Sequence, residues 1–150
     1  MAGAFHLSEM LSLALHSMVY IATSDMEYVN VKQIAQATGA SEAHLSKVLQ
    51  RLVKGRILRS VRGPKGGFML EKTPEEINFL QIYEMIEGPV DSEGCPNHRR
   101  ECPFAYCIFR GIPEKLNSQF IHYLTNTHLN EFIGNRKSKD TPGHSHQPVT

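Results

Sequence analysis

The fold class predicted by this sequence is mainly α with a small β-hairpin: a winged helix-turn-helix domain followed by a long C-terminal dimerisation helix. Three features carry that expectation. Two amphipathic helical stretches meet at a turn containing Gly39, a glycine- and proline-tipped hairpin follows the second of them, and a long apolar helical period returns after Pro113. A length of 150 residues, 41% of them apolar, suits one domain with an appended arm.

The first helix is expected between Leu7 and Thr23, where Leu7, Leu11, Ala14, Leu15, Met18, Val19 and Ala22 recur at intervals of three and four. The most apolar run, Met10 to Ala22, is shorter than the roughly 20 residues a bilayer demands and carries His16. No basic segment precedes it and no small-residue cleavage site follows, so the expectation is no membrane span and no secretory leader, and a place in the reducing cytoplasm. After a turn at "DMEYVN", Val31 to Thr38 reads as a short second helix through Ile34, Ala35 and Thr38. Gly39-Ala40 breaks it. Ser41 is a natural N-cap with Glu42 in the first turn, and Leu45, Val48, Leu49 and Leu52 form the core stripe of helix three.

Two β-type runs, Ile57 to Val61 and Phe68 to Leu70, flank the tip Arg62 to Gly67 and predict a wing. Thr73 with Glu76 has the capping-box form and is expected to open a helix containing Ile77, Leu80, Ile82, Tyr83 and Ile86, stopped by Gly88-Pro89. From Pro113 a longer helical pattern runs through Leu116, Phe120, Tyr123, Leu124, Leu129, Phe132 and Ile133. So large an apolar face wants a partner, either a second copy of the chain or the chain's own first helix. The polar, aperiodic remainder is expected to be disordered, with His144 and His146 inert. The expected division is therefore a winged helix-turn-helix over residues 1–72, a connecting helix and cysteine loop over 73–112, a dimerisation helix over 113–133 and a tail over 134–150.

A net charge of only +1 advertises no polyanionic partner, but the total hides a basic half. Between Lys47 and Lys72 stand Lys47, Arg51, Lys54, Arg56, Arg59, Arg62, Lys65 and Lys72, with Glu71 the single acid. Such a patch draws phosphates by counterion release, and it coincides with the two elements a winged helix lays on a duplex. Ser41, Arg51, Arg59 and Lys65 belong to the expected interface. Glu42, Ala43, His44, Ser46 and Lys47 lie outside the core stripe in the first turns of helix three and can face base edges, Lys47 reaching guanine acceptors. Arg62 at the wing tip suits a narrow minor groove. "GPKGG" lacks the Gly-Lys-Ser/Thr ending of a phosphate loop, and no nucleophile–base pair, HExxH or nucleotide fingerprint supports an enzyme.

All three cysteines, Cys95, Cys102 and Cys107, fall in "GCPNHRRECPFAYCIFRG". Six residues separate the first pair and four the second, too wide for paired CxxC knuckles but enough for a loop that gathers three thiolates. Prolines after Cys95 and Cys102 give rigid turns, while Phe104, Tyr106, Ile108 and Phe109 are candidates for an apolar shell. Arg99, Arg100 and Arg110 are placed to offset thiolate charge. His98 would complete a three-cysteine, one-histidine zinc site, so the residues alone rank zinc equal with iron–sulfur. Uncoordinated redox-reactive thiols come third.

The order helix-turn-helix, "SVRGPKGGFML", short helix, three cysteines near residue 100 and long terminal helix resembles the IscR/NsrR family of winged-helix transcription regulators over roughly residues 5 to 133. The resemblance implies a homodimer joined through the C-terminal helix, binding palindromic double-stranded promoter DNA. It also implies an iron–sulfur cluster, 2Fe-2S, on Cys95, Cys102 and Cys107 whose state sets operator affinity. Base-reading positions carry over to Ala43, Ser46 and Lys47, and the minor-groove arginine to Arg62. The fourth ligand departs from the family. A histidine three residues past the last cysteine is here Arg110, and an acid on helix one of the partner subunit is here Ser12. Glu9 and His16, one turn to either side of Ser12, and His98 are the remaining protein candidates. The expected function is a cytoplasmic DNA-binding regulator, a repressor, sensing redox state, nitric oxide or iron–sulfur supply. The alternative is a zinc-stabilised or thiol-based winged-helix regulator without a cluster.

Overall fold

The computed structural model describes residues 6–90 and 101–134. Helix α1 spans Glu9–Ala22, α2 Val31–Thr38 and α3 Glu42–Lys54; strands β1 Leu58–Val61 and β2 Gly67–Leu70 form the wing, and α4 Phe79–Glu87 and α5 Ile112–Asn126 follow. The fold is thus mostly helical with one two-stranded antiparallel sheet among the described residues, as predicted.

Each N-terminus in the first half is set by a side chain that accepts from an orphan backbone donor. Ser8 accepts from the Leu11 N–H at 3.0 Å and Ser41 from the His44 N–H at 3.2 Å. Asn30 and Gln33 form a reciprocal capping box at 2.9 and 3.0 Å, so α2 starts at Val31, and Gly39 ends it in the left-handed region with φ 71°. Leu11, Ala14 and Met18 of α1, Ile34 of α2, and Leu45, Val48, Leu49 and Leu52 of α3 then share one buried core with Ile57, Ile77, Ile82, Leu124 and Leu129.

The wing pairs Leu58 with Leu70, Arg59 with Met69, Ser60 with Phe68 and Val61 with Gly67. A third segment braces it: the Val29 N–H donates to the Phe68 carbonyl at 3.0 Å and the Phe68 N–H to the Val29 carbonyl at 2.8 Å. Beside this bridge, a Cβ on Gly67 would lie 2.6 Å from the Val29 carbonyl oxygen, so the close approach requires glycine.

Two expected helices are divided. The Glu76 carboxylate does accept from the Thr73 N–H at 2.9 Å and the Thr73 hydroxyl at 3.0 Å, but this cap opens only a single 3-10 turn, Pro74–Glu76. Ile77 is extended and buried, and α4 restarts under a second capping box between Asn78 and Gln81. The terminal helix likewise stops at Asn126; Thr127 is extended and Leu129–Phe132 forms another 3-10 turn. One cause serves both breaks, because the two extended points pair: the Phe79 N–H donates to the Thr127 carbonyl at 2.9 Å and the Leu129 N–H to the Ile77 carbonyl at 3.1 Å. This pairing seats Leu129 in the core and stacks Phe132 on Phe79, ring centroids 5.4 Å apart, against α1. Burial of Leu129 alone stabilises the arrangement by about 1.5–3 kcal/mol, against the continued helical hydrogen bonds it replaces.

The C-terminal apolar residues therefore meet the chain's own core only in part. Leu124, Leu129 and Phe132 cover the chain's own core, whereas on α5 Ile112, Leu116 and Tyr123 remain 55%, 55% and 51% exposed.

Candidate nucleic-acid interface and cysteine segment

Helix α3 buries the stripe Leu45, Val48, Leu49 and Leu52, which turns Glu42, Ala43, Lys47, Gln50 and Arg51 outward. Ser41 is exposed at the head of the helix, and its hydroxyl oxygen holds the cap while its proton stays available. His44 and Ser46 are half-buried: the Ser46 hydroxyl donates to the Glu42 carbonyl at 2.7 Å, and His44 Nδ1 lies 3.9 Å from the Glu9 carboxylate. Arg62 and Lys65 are exposed at the wing tip, with Gly63 at φ 121° making the turn.

Lys47, Arg62 and Lys65 thus project a positive edge with no carboxylate paired to them among the described residues. Arg59 is partly committed within the hairpin, its Nε 3.6 Å from Glu71 and its guanidinium 3.1 Å from the Met69 sulfur. Arg51 donates to the Ile86 carbonyl at 3.1 Å, an internal bond no local sequence signal disclosed. Spacing also gave no sign of Arg56, exposed with φ 58°, which carries the chain from α3 into β1.

Cys102 and Cys107 are exposed free thiols; Cys95 and His98 lie outside the described residues, as do His144 and His146. The donor chemistry, three thiols within thirteen positions, suits an iron–sulfur cluster or zinc. Among the described residues, however, no three His, Cys, Asp or Glu side chains come together. Phe104, Tyr106, Ile108 and Phe109 are exposed, Tyr106 to 88%, so in the single chain they do not close an apolar shell. Arg110 takes φ 50° and its N–H donates to the Cys107 carbonyl at 3.2 Å, a turn that delivers the chain to α5.

The candidates Glu9, Ser12 and His16 do share a place. They line a groove of about 390 Å³ on α1 that reaches Ala37 to Ala40 in the turn between α2 and α3. His16 Nδ1 is 2.7 Å from the Ser12 carbonyl, which leaves Nε2 on the outer side of the ring.

A recognition helix, a braced wing and cations at the tips of both define a winged-helix DNA-binding protein. Residues 7–135 match the family described as Rrf2, Iron-dependent Transcriptional regulator, and the chain belongs to that family. Among its relatives, the HTH-type transcriptional regulator IscR of Klebsiella pneumoniae (strain 342) is 26% identical over 148 residues, covering 99% of this chain and 86% of its own length. IscR of Photorhabdus laumondii is 28% identical over 142 residues, covering 94% and 82%. The fold is shared with CymR (YrzC), the global cysteine regulator of B. subtilis, at a TM-score of 0.73 and 23% identity over 89% of this chain and 99% of that one. T. potens IscR gives 0.71 and 21% over 94% and 95%. These relatives are transcriptional regulators, in line with the expectation that the chain is not an enzyme. No helix among the described residues is long and apolar enough to cross a membrane.

Proposed function

We propose that this regulator acts in the cytoplasm as a homodimeric repressor whose affinity for palindromic promoter DNA is set by an iron–sulfur cluster, 2Fe-2S, on Cys95, Cys102 and Cys107. The observation that carries the reading is the confinement of every cysteine to positions 95–107, between the wing domain and α5. Ala43, His44, Ser46 and Lys47 would face the major groove from α3, with Ser41 donating to a phosphate at its head. Arg62 would enter the minor groove, and Arg59 and Lys65 would hold the flanking backbone. The exposed Ile112, Leu116 and Tyr123 of α5 offer a second copy the apolar face a dimer needs. A bound cluster would supply a redox- and nitric-oxide-reactive centre, its fourth ligand drawn from Glu9, Ser12, His16 or His98.

Exposure of both described thiols favours one second reading, a zinc-stabilised or thiol-based regulator without a cluster. Anaerobic purification separates the two. Absorption near about 400 nm with iron and sulfide in the protein supports the cluster, while a colourless preparation containing zinc or no metal refutes it.

A further inference from the structure

The last turn of α4 receives side chains from two other helices. From α3, Arg51 donates to the Ile86 carbonyl at 3.1 Å; from the head of α1, the Ser8 hydroxyl donates to the Glu87 carboxylate. Ile86 is among the terminal residues whose carbonyls a helix leaves without an intrahelical donor. The end of α4 also has no basic residue of its own and carries Glu84 and Glu87, the wrong sign for the negative pole of a helix dipole. Arg51 supplies from α3 both the missing donor and the missing cation. The two helices are in close contact there: a Cβ on Gly55, which caps α3, would fall 1.8 Å from the Met85 sulfur. Gly88 ends α4, and the chain runs on from it towards Cys95.

We propose that Arg51 is a positioning residue for DNA reading: its bond to Ile86 fixes the recognition helix to the end of α4, the joint through which the cysteine segment sets operator affinity. Arg51 sits on the same basic helix as Lys47, but one nitrogen of its guanidinium is engaged by the Ile86 carbonyl. The relay rests on the sensing function proposed above; the positioning role does not. A chemical change at the cysteines that shifts the end of α4 moves α3 with it, because a charge-assisted hydrogen bond and a glycine contact join them.

The test uses the full chain, purified anaerobically, with Arg51→Met, which keeps the aliphatic stem and removes every donor, and Arg51→Lys, which keeps a charged donor. Binding to the best operator and to random DNA is measured across a salt series, before and after alkylation of the thiols with N-ethylmaleimide. Arg51→Met is expected to lower the operator-over-random ratio by about tenfold, with an unchanged slope of log affinity against log salt. It is also expected to shrink the effect of alkylation on operator affinity towards none, and Arg51→Lys should restore most of both. A slope shallower by about 0.9, with equal losses on both DNAs, would make Arg51 a phosphate contact and overturn the proposal. An alkylation effect that survives undiminished in Arg51→Met would overturn the relay. A wild-type protein indifferent to alkylation would refute cysteine sensing and the relay together, while the salt slope would still decide the positioning role. Melting temperature and oligomeric state, checked for each variant, confirm that a folded protein is compared.

Discussion

Gly67→Ala tests whether the wing is a braced arm or a free hairpin. Strand β2 begins at Gly67, and the added Cβ would meet the Val29 carbonyl oxygen at 2.6 Å, its carbon at 2.7 Å and the Asn30 nitrogen at 3.0 Å. All three are backbone atoms with no side-chain rotation to escape by, and Val29 is itself buried. Either the wing shifts away and stretches the Val29–Phe68 pair of hydrogen bonds, at 3.0 and 2.8 Å, or the segment before α2 moves. Forced overpacking of this kind costs about 1–3 kcal/mol. For a chain of this size that is a fall in Tm of about 3–10 °C by calorimetry or circular dichroism. Loosening the brace also frees the tip that carries Arg62 and Lys65, so operator affinity, measured by fluorescence anisotropy, should drop about three- to tenfold. A variant with unchanged Tm and unchanged operator affinity would refute the bracing argument, since a 2.6 Å contact with backbone cannot be absorbed without cost.

Other perturbations address the interface, the metal and one cap. Lys47→Ala is expected to lose more on the best operator than on random DNA, by about 1–3 kcal/mol at a guanine contact, and equal losses in a gel-shift series would leave Lys47 as a phosphate contact. Arg62→Ala should weaken operator binding, checked in the same series, and leave Tm within about 1 °C, because the side chain is exposed. Cys102→Ala should abolish visible colour in anaerobic protein while size-exclusion chromatography still shows a folded dimer; a variant that retains iron removes Cys102 from the ligand set. The Glu76 carboxyl is held below its ordinary pKa, first by the Thr73 backbone N–H and then by the Thr73 hydroxyl. A depressed folded-state pKa contributes stability above the unfolded value and loses it as pH falls through the folded one. Glu76→Gln should therefore flatten the acid limb of a Tm-against-pH profile, and an unaltered limb would remove Glu76 from the cause.

Local signals were legible wherever the residues that set an element lie within a few positions of it. Gly39 and the spacing of Ile34 and Ala35 bound α2 at Val31–Thr38, and Ser41 starts α3 as its residue type suggests. Asn78 and Gln81 carry the same Asn-x-x-Gln capping signature as Asn30 and Gln33, so the true start of α4 was written in the chain, behind the more conspicuous Thr73–Glu76 box. What spacing could not show is the pairing of Asn78 with His128, which breaks two helical periods at once. Each restart has a capping box of its own, at Asn78 and at His128, but the pairing that joins the two points links residues far apart in the chain. The site divides in the same way. Exposure of Lys47, Arg62 and Lys65 follows from helical period and turn chemistry, whereas the engagement of Arg51 and Arg59 depends on acceptors that only folding brings near.

That division bears on how a basic stretch should be read. The cations between Lys47 and Lys72 form one run in sequence but have two uses in the fold. Those at the outer tips of α3 and the wing meet no carboxylate among the described residues, so phosphate can neutralise them without breaking an existing pair. Those nearer the junctions have partners within the protein, Arg51 at the Ile86 carbonyl of α4 and Arg59 across the hairpin at Glu71. Phosphate contacts by the first group would raise affinity for DNA in general through the counterions released, with Lys47 adding selectivity where it meets a guanine, whereas the Arg51 bond bears on selectivity alone, because base edges reward only a helix held in register. Replacing Arg51 should therefore change selectivity at nearly constant salt dependence. Charge counted along the chain does not separate the groups; the hydrogen-bond partner of each guanidinium does.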